Sequence, residues 1–115
     1  MVKNERREEE IERILLRCGI FPSKKGFAYL SKAISMFSGE QDGTCSLYCK
    51  VGDIFGVKAA NVERCIRTCI TEAAHKGTLQ RLNDVFEMKL MDRNDYLSNG
   101  DFIGIIATYL GFAKV

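Results

Sequence analysis

The segment that decides the fold runs from Tyr48 to Ile66 and reads YCKVGDIFGVKAANVERCI. Within it, Gly52 offers a position without a side chain where a second helix can cross closely, and Phe55 supplies a large apolar plug before a turn. Gly56 stands where the chain must reverse, because glycine adopts a positive φ without steric cost. Three apolar residues then anchor the turn and the second helix to a core: Val57, Val62 and Ile66. This order predicts a helix-turn-helix, which places its second helix in the major groove of DNA, although a glycine-flanked helix pair also occurs in many other globular proteins.

The second helix of the motif, predicted over residues 59–75, has an apolar face and a polar face. At about 100° per residue, one side collects Val62, Ile66, Cys69, Ile70 and Ala73. The opposite side carries Ala60, Arg64, Arg67 and Thr71, with Asn61, Glu63 and Thr68 on its flanks. Arginine can bind guanine, asparagine adenine and glutamate cytosine. With the preceding cation, the predicted DNA-binding residues are Lys58, Ala60, Asn61, Glu63, Arg64, Arg67 and Thr68. The alternative is a solvated helix face with an Arg–Glu ion pair, which contributes little to stability.

Composition limits the class of protein. A chain of 115 residues with 46% hydrophobic residues fits one folded domain with a single core. The net charge is only +2, but residues 58–81 hold five basic and two acidic residues, whereas residues 82–115 hold three basic and five acidic ones. This asymmetry indicates one face for phosphate and another facing away from it. The sequence has no membrane-spanning apolar run and no signal peptide, so the expected location is the cytoplasm.

The periodicity predicts an all-α fold, a compact bundle of about six helices that contains the helix-turn-helix. Residues 1–18 are expected to form a charged N-terminal helix that leads into a domain spanning residues 19–115. Thr78 is expected to cap a short helix, and residues 85–91 could be extended. The predicted helix limits are 5–17, 24–38, a second motif helix ending near 75–77, and a last helix beginning at Ser98 or Asn99, with a loop over 38–43.

The five cysteines raise the question of a metal site. Cys45 and Cys49 are four residues apart, as are Cys65 and Cys69, so a four-thiolate zinc site is conceivable. However, Cys69 falls on the apolar face of its helix, and a free cysteine commonly fills a small apolar space. We therefore predict reduced, buried thiols, and neither a metal nor a cofactor.

Catalytic chemistry finds little support in this sequence. His75 is the only histidine, and it lies at a predicted helix end, where a positive side chain complements the helix dipole. The chain also lacks a glycine-rich phosphate-binding fingerprint and any nucleophile with a paired base. We predict that the protein is not an enzyme.

Three runs of this sequence resemble the effector domain of the sporulation-initiation response regulator, stage zero sporulation protein A. They are Gly19–Pro22 with Lys25–Met36, then Val62–Arg67, and finally Asn99–Ile103. The likeness extends from about residue 11 to residue 112, with the motifs in the same order and spacing. This resemblance implies a six-helix DNA-binding unit of the kind found in endospore-forming Firmicutes.

The resemblance also implies roles for single residues. Glu63, Arg64 and Arg67 match the family's recognition helix and inherit its base-reading and phosphate-contacting roles. Asn61 stands where the family usually has an arginine, which could remove a guanine contact, shift the preferred base towards adenine or weaken binding. Cys65 and Cys69 stand where the family tends to have alanine, which supports buried thiols. A proline is common in the family at the position of Cys49.

Family members normally couple this domain to an N-terminal receiver. Residues 1–18 hold five basic residues, five acidic residues and one short apolar stripe, which do not make a receiver. The hypotheses are a stand-alone relative or an excised effector domain. The implied partners are double-stranded DNA carrying operator boxes and a second copy on DNA, with RNA polymerase as a further candidate for the acidic residues Asp92, Asp95 and Asp101. The alternative is a protein-interaction module of the same fold that does not read DNA.

Overall fold

A computed structural model describes residues 2–37, 43–92 and 97–111, with side chains for 7–37, 46–92 and 97–111. These residues form six α-helices and no strand, which confirms the all-helical prediction. One turn of 3₁₀ helix, Leu79–Arg81, precedes the fifth helix. The α-helices are α1 (Val2–Arg17), α2 (Lys25–Met36), α3 (Gly43–Phe55), α4 (Ala59–Lys76), α5 (Leu82–Phe86) and α6 (Asn99–Tyr109). Within the described ranges, no helix has both the length and the apolar character needed to cross a bilayer.

The core forms where the apolar stripes of these helices meet. Helix α1 contributes Ile11 and Leu15, and α6 contributes Phe102, all fully buried. Helix α2 lies directly against α4 at Gly26, where an added Cβ would overlap the Cys69 sulfur and the Cys65 carbonyl. A close approach of this kind brings the backbones of the two helices together and fixes the position of α4 in the molecule.

The second helix of the motif ends as predicted. Gly77 has a left-handed backbone with φ 77°, and the two N–H groups that follow the helix donate to Ala73 and Ala74. His75 and Lys76 lie exposed in the last turn, where positive side chains complement the helix dipole. The backbone after the helix therefore pairs two of the free carbonyl groups at the end of α4.

Thr78 does not cap the short helix that follows, so that prediction was wrong. Its backbone is helical, with φ −93° and ψ −17°, whereas an N-cap residue is usually extended. Its hydroxyl instead donates to the Cys18 carbonyl at 2.7 Å, and the Ala73 carbonyl lies 3.2 Å from the same oxygen and can share the proton. The side chain thus joins the end of α1 to the end of α4.

The prediction that residues 85–91 could be extended was wrong for residues 85–87. Helix α5 continues to Phe86, and Glu87 then takes a left-handed backbone with φ 54°. The Asn83 side chain holds the segment that follows: its oxygen accepts from the backbone N–H groups of Leu90 at 2.7 Å and Met91 at 3.1 Å, and its amide donates to the Met91 carbonyl at 2.7 Å. A single carboxamide thus fixes the backbone of Leu90 and Met91 against the beginning of α5.

Helix limits differ from the predictions by a few residues. Helix α1 begins at Val2 rather than residue 5, and α2 ends at Met36 because Phe37 turns to an extended backbone with ψ 124°. The first motif helix begins at Gly43. The predicted loop lies mostly in residues 38–42, outside the described residues.

Candidate nucleic-acid interface

Helices α3 and α4 are joined by a tight turn over residues 56–58. Gly56 has φ 70°, as the predicted reversal requires, and the Val57 N–H donates to the Gly52 carbonyl at 2.9 Å. A Cβ on Gly52 would overlap the Val57 carbonyl, so the chain does approach Gly52 closely. The approaching backbone belongs to the turn and not, as predicted, to the second helix. Phe55 is less buried than predicted, because 39% of its surface remains exposed. The centroid of its ring lies 5.2 Å from that of the Tyr29 ring.

The apolar side of α4 fixes which side of the helix faces outward. All five residues predicted for this side are buried, with at most 4% of their surface exposed: Val62, Ile66, Cys69, Ile70 and Ala73. Of the polar side, Ala60, Arg64, Arg67 and Thr68 are exposed, and so is Lys58 before the helix. Asn61, Glu63 and Thr71 are half-buried at its edges. The structure thus brings the predicted binding residues together on one exposed face.

Both arginines of this face have partners on α4 itself. The Arg67 guanidinium forms an ion pair with Glu63, one turn earlier, and both side chains are more than a third exposed. The Arg64 Nη2 donates to Asn61 Oδ1 at 2.9 Å, and the Thr68 hydroxyl donates to the Arg64 carbonyl at 3.0 Å. The cations therefore lie along the helix surface, next to the small side chain of Ala60.

The beginning of α4 carries a cation and no acidic residue. Lys58 has an extended backbone with φ −76° and ψ 150°, and its side chain makes no capping hydrogen bond. The first turn contains no acidic residue. The Lys58 carbonyl accepts from Asn61 and Val62, which leaves the first N–H groups of the helix without helical partners. These groups and the helix dipole give this end a partial positive charge that favours phosphate.

Asn99 contributes to this region although the sequence analysis did not predict it. Its amide, in the first turn of α6, donates to the Glu63 backbone carbonyl at 3.1 Å. Ser98 caps α6 by accepting from the Asp101 N–H at 3.1 Å, as predicted for one of two candidate positions. The Ser-Asn pair marks a helix start, but nothing in it identifies a partner on α4. Asn99 thus holds the last helix against the segment that carries Glu63 and Arg64.

The cysteines do not converge on a metal site within the described residues. No group of three or more potential ligands lies together there. Cys69 is buried as predicted, and desolvation raises its pKa to about 11. The prediction of buried thiols was wrong for Cys49, which is exposed, and Cys65 is only half-buried. Desolvation likewise raises the pKa of Cys18 to about 12. The Cys45 side chain lies outside the described residues.

The family assignment agrees with this geometry. Residues 11–110 match the family model described as "Sporulation initiation factor Spo0A C terminal". The match spans most of the chain and includes the turn, all of α4 and α6. The chain therefore belongs to the Spo0A C-terminal family, whose members are non-enzymatic DNA-binding effector domains.

Proposed function

We propose that this protein is a sequence-specific, double-stranded DNA-binding transcription regulator of the sporulation-initiation type, with α4 as its recognition helix. The observation that carries the proposal is the rotation of α4. Its apolar side is buried, so Arg64, Arg67 and Ala60 project together from the opposite side. The order of α3, tight turn and α4 supports α4 as the helix that enters the major groove.

Base reading is assigned to Glu63, Arg64 and Arg67. Arginine binds guanine with two hydrogen bonds, and glutamate accepts from cytosine. The ion pair between Arg67 and Glu63 is exposed, and such pairs contribute only about 0.2–1 kcal/mol. DNA can therefore replace this pair at small cost, and the same two residues can turn towards the groove. Ala60 and Thr68 leave room for the approach of the helix.

Phosphate binding is assigned to Lys58 and the beginning of α4. A cation and a row of backbone N–H groups lie at the same helix end, with no acidic residue in the first turn. Contacts of this type position a protein on DNA without reading its sequence. They support a recognition helix that is oriented by phosphate at one end and reads bases along its exposed side.

The small number of candidate base-reading side chains on one α4 favours two copies on DNA. One recognition helix presents few base-reading side chains, so specific binding is expected to need a homodimer on adjacent half-sites. Exposed Asp92 and Asp101 are candidates for a contact with RNA polymerase, while Asp95 lies outside the described residues. As a regulator of bacterial transcription, the protein would act in the cytoplasm.

Fluorescence anisotropy with the purified protein tests the proposal. The protein first selects a duplex from a pool with a randomised centre, and binding to that duplex is compared with a scrambled duplex over a salt series. Tight binding that depends on sequence supports the regulator. Equal, weak and salt-sensitive binding to both duplexes would instead favour a protein-interaction module that retains the fold.

A further inference from the structure

Asn61 is bound to other residues of α4 through its side-chain oxygen. Asn61 Oδ1 accepts from Arg64 Nη2 at 2.9 Å and from the Cys65 thiol at 3.6 Å. Both partners lie on the next turn of the helix, so the three side chains form one local group at the edge of the exposed face. Asn61 is half-buried and Arg64 is exposed, which places the group between the core and the proposed DNA surface.

The chemistry of the partners dictates how the Asn61 amide is oriented. A guanidinium has five N–H donors and no acceptor, and a thiol proton is also a donor. Because the guanidinium cannot accept, the oxygen of Asn61, not its NH₂ group, must face Arg64, and the Cys65 thiol then donates to the same oxygen. A carbonyl oxygen has two lone pairs, and these two donors use both.

Direct reading of adenine requires the same oxygen. Asparagine pairs with adenine by accepting from the N6 amino group while its own NH₂ donates to N7. With both lone pairs of the oxygen used by Arg64 and Cys65, this pairing would first require at least one of these contacts to break. The contact between Asn61 and Arg64, by contrast, is already formed in the DNA-free protein and need not break.

We propose that Asn61 is a positioning residue: its oxygen holds the Arg64 guanidinium in place for guanine, and Asn61 does not itself read a base. The inference rests on the DNA-binding function proposed above, and it specifies how the Arg64 side chain is oriented before DNA binds. Arginine loses considerable rotamer freedom when it binds, and a contact that restricts the side chain beforehand lowers that entropic cost.

Base-specific discrimination is the measurement that separates positioning from reading. Anisotropy titrations compare the selected duplex with a panel of single base-pair substitutions, and Arg64→Ala identifies the base pair that Arg64 reads. Asn61→Ala is expected to reduce discrimination at that same base pair by about twofold to tenfold. Asn61→Asp keeps an oxygen acceptor but lacks the amide donor. It is expected to retain discrimination, although its charge weakens binding to every duplex.

A double-mutant cycle adds a control. Once Arg64 is alanine, Asn61→Ala should have no further effect on discrimination, because the residue acts through Arg64. The matched cycle with Arg67→Ala should be additive, since Arg67 pairs with Glu63. Loss of discrimination at a different base pair, or additivity with Arg64→Ala, would show that Asn61 reads a base and would overturn the inference.

The remaining outcomes separate this inference from the proposed function. If Asn61→Ala changes nothing while Arg64→Ala loses discrimination, the positioning role is wrong and the DNA-reading function stands. If Arg64→Ala discriminates as wild type does, the assigned reading face is wrong and the inference falls with it. Nitrogen-15 relaxation of the Arg64 Nε–H group in the DNA-free protein tests the contact alone. The order parameter should fall in Asn61→Ala and persist in Asn61→Asp, and equal order in wild type and Asn61→Ala would overturn the inference.

Discussion

Single hydrogen bonds on the exposed side of α4 set where each arginine lies before DNA arrives. Arg67 pairs with Glu63, and Arg64 donates to Asn61 at 2.9 Å. Arg64 and Arg67 are exposed, so exchanging an ion pair such as that of Arg67 for a base edge or a phosphate costs at most about 1 kcal/mol. The proposed reading of DNA therefore depends on side chains whose contributions can be measured one at a time.

Replacing Arg64 with alanine is expected to weaken binding to the selected duplex by ~1–3 kcal/mol and to relax base preference at one position. Lys76→Ala is the comparison, because Lys76 is an exposed cation in the last turn of the same helix. Because phosphate binding is assigned to the other end of α4, Lys76→Ala is expected to weaken binding to all duplexes alike and only slightly, with no change in base preference. Anisotropy titrations measure both effects. An Arg64→Ala variant that discriminates between duplexes as wild type does would contradict the assignment.

Glu87 is the single non-glycine residue with a positive φ among the residues that the structure describes. A left-handed backbone costs an L-residue about 1–2 kcal/mol, and glycine avoids most of this cost. We expect Glu87→Gly to raise the free energy of unfolding by about 1 kcal/mol. The greater conformational entropy that glycine gives to the unfolded chain reduces this gain. Glu12→Gly, at an exposed position inside α1, is expected to lower it by about 1 kcal/mol. Urea unfolding measures both variants, and a lower stability for both would contradict the prediction.

Among the elements, the contact between α2 and α4 determines how the recognition helix is held. An added Cβ at Gly26 would overlap backbone as well as side chain of α4, so a side-chain rotation alone cannot make room. Asn99, at the start of α6, adds a hydrogen bond to the Glu63 backbone of α4. The exposed face of α4 thus depends on elements before and after it in the sequence.

We expect Gly26→Ala to destabilise the fold by about 1–3 kcal/mol, because α2 must move away from α4. Gly104→Ala is the matched control: its Cβ would lie 3.7 Å from the Phe37 ring, which is an ordinary contact distance. Inside α6 this change is expected to be neutral or to stabilise by up to about 1 kcal/mol. Denaturant unfolding followed by circular dichroism distinguishes the two. Equal stability of Gly26→Ala and wild type would show that the contact between the helices can adapt.

In the whole molecule, buried thiols link stability to pH. Desolvation raises the pKa of Cys69 from 9.0 to about 11 and that of Cys18 from 9.0 to about 12. The folded state therefore keeps these protons at pH values where the unfolded chain loses them. This stabilisation is complete below pH 9 and is lost as the pH rises towards the folded-state pKa values.

A Cys18→Ala, Cys69→Ala double variant is expected to lose less stability than wild type between pH 9 and pH 11. Cys49→Ala is the control, because it removes a thiol from an exposed position instead of a buried one. The free energy of unfolding, measured by urea titration at each pH, gives the comparison. Identical pH dependence in wild type and the double variant would mean that these thiols do not contribute.

Local patterns were sufficient to predict the helix-turn-helix and the outward side of its second helix. Gly56 adopts the positive φ that its place in the turn requires, and the buried residues of α4 recur at the helical period. Both features depend on residues within a turn or two of one another, so the sequence contains all the necessary information. The predicted DNA-binding residues Arg64 and Arg67 share an exposed face for the same reason.

Tertiary structure alone decided the roles of residues whose partners are distant in sequence. Thr78 has the residue type of a helix cap, but its hydroxyl binds Cys18, 60 positions away. Asn99 reaches Glu63 across 36 positions, and Gly26 is required because α4 lies against it. A hydroxyl, an amide or a missing side chain is compatible with many partners. Which partner it meets depends on how the helices pack around the shared core, because that packing brings distant parts of the chain together.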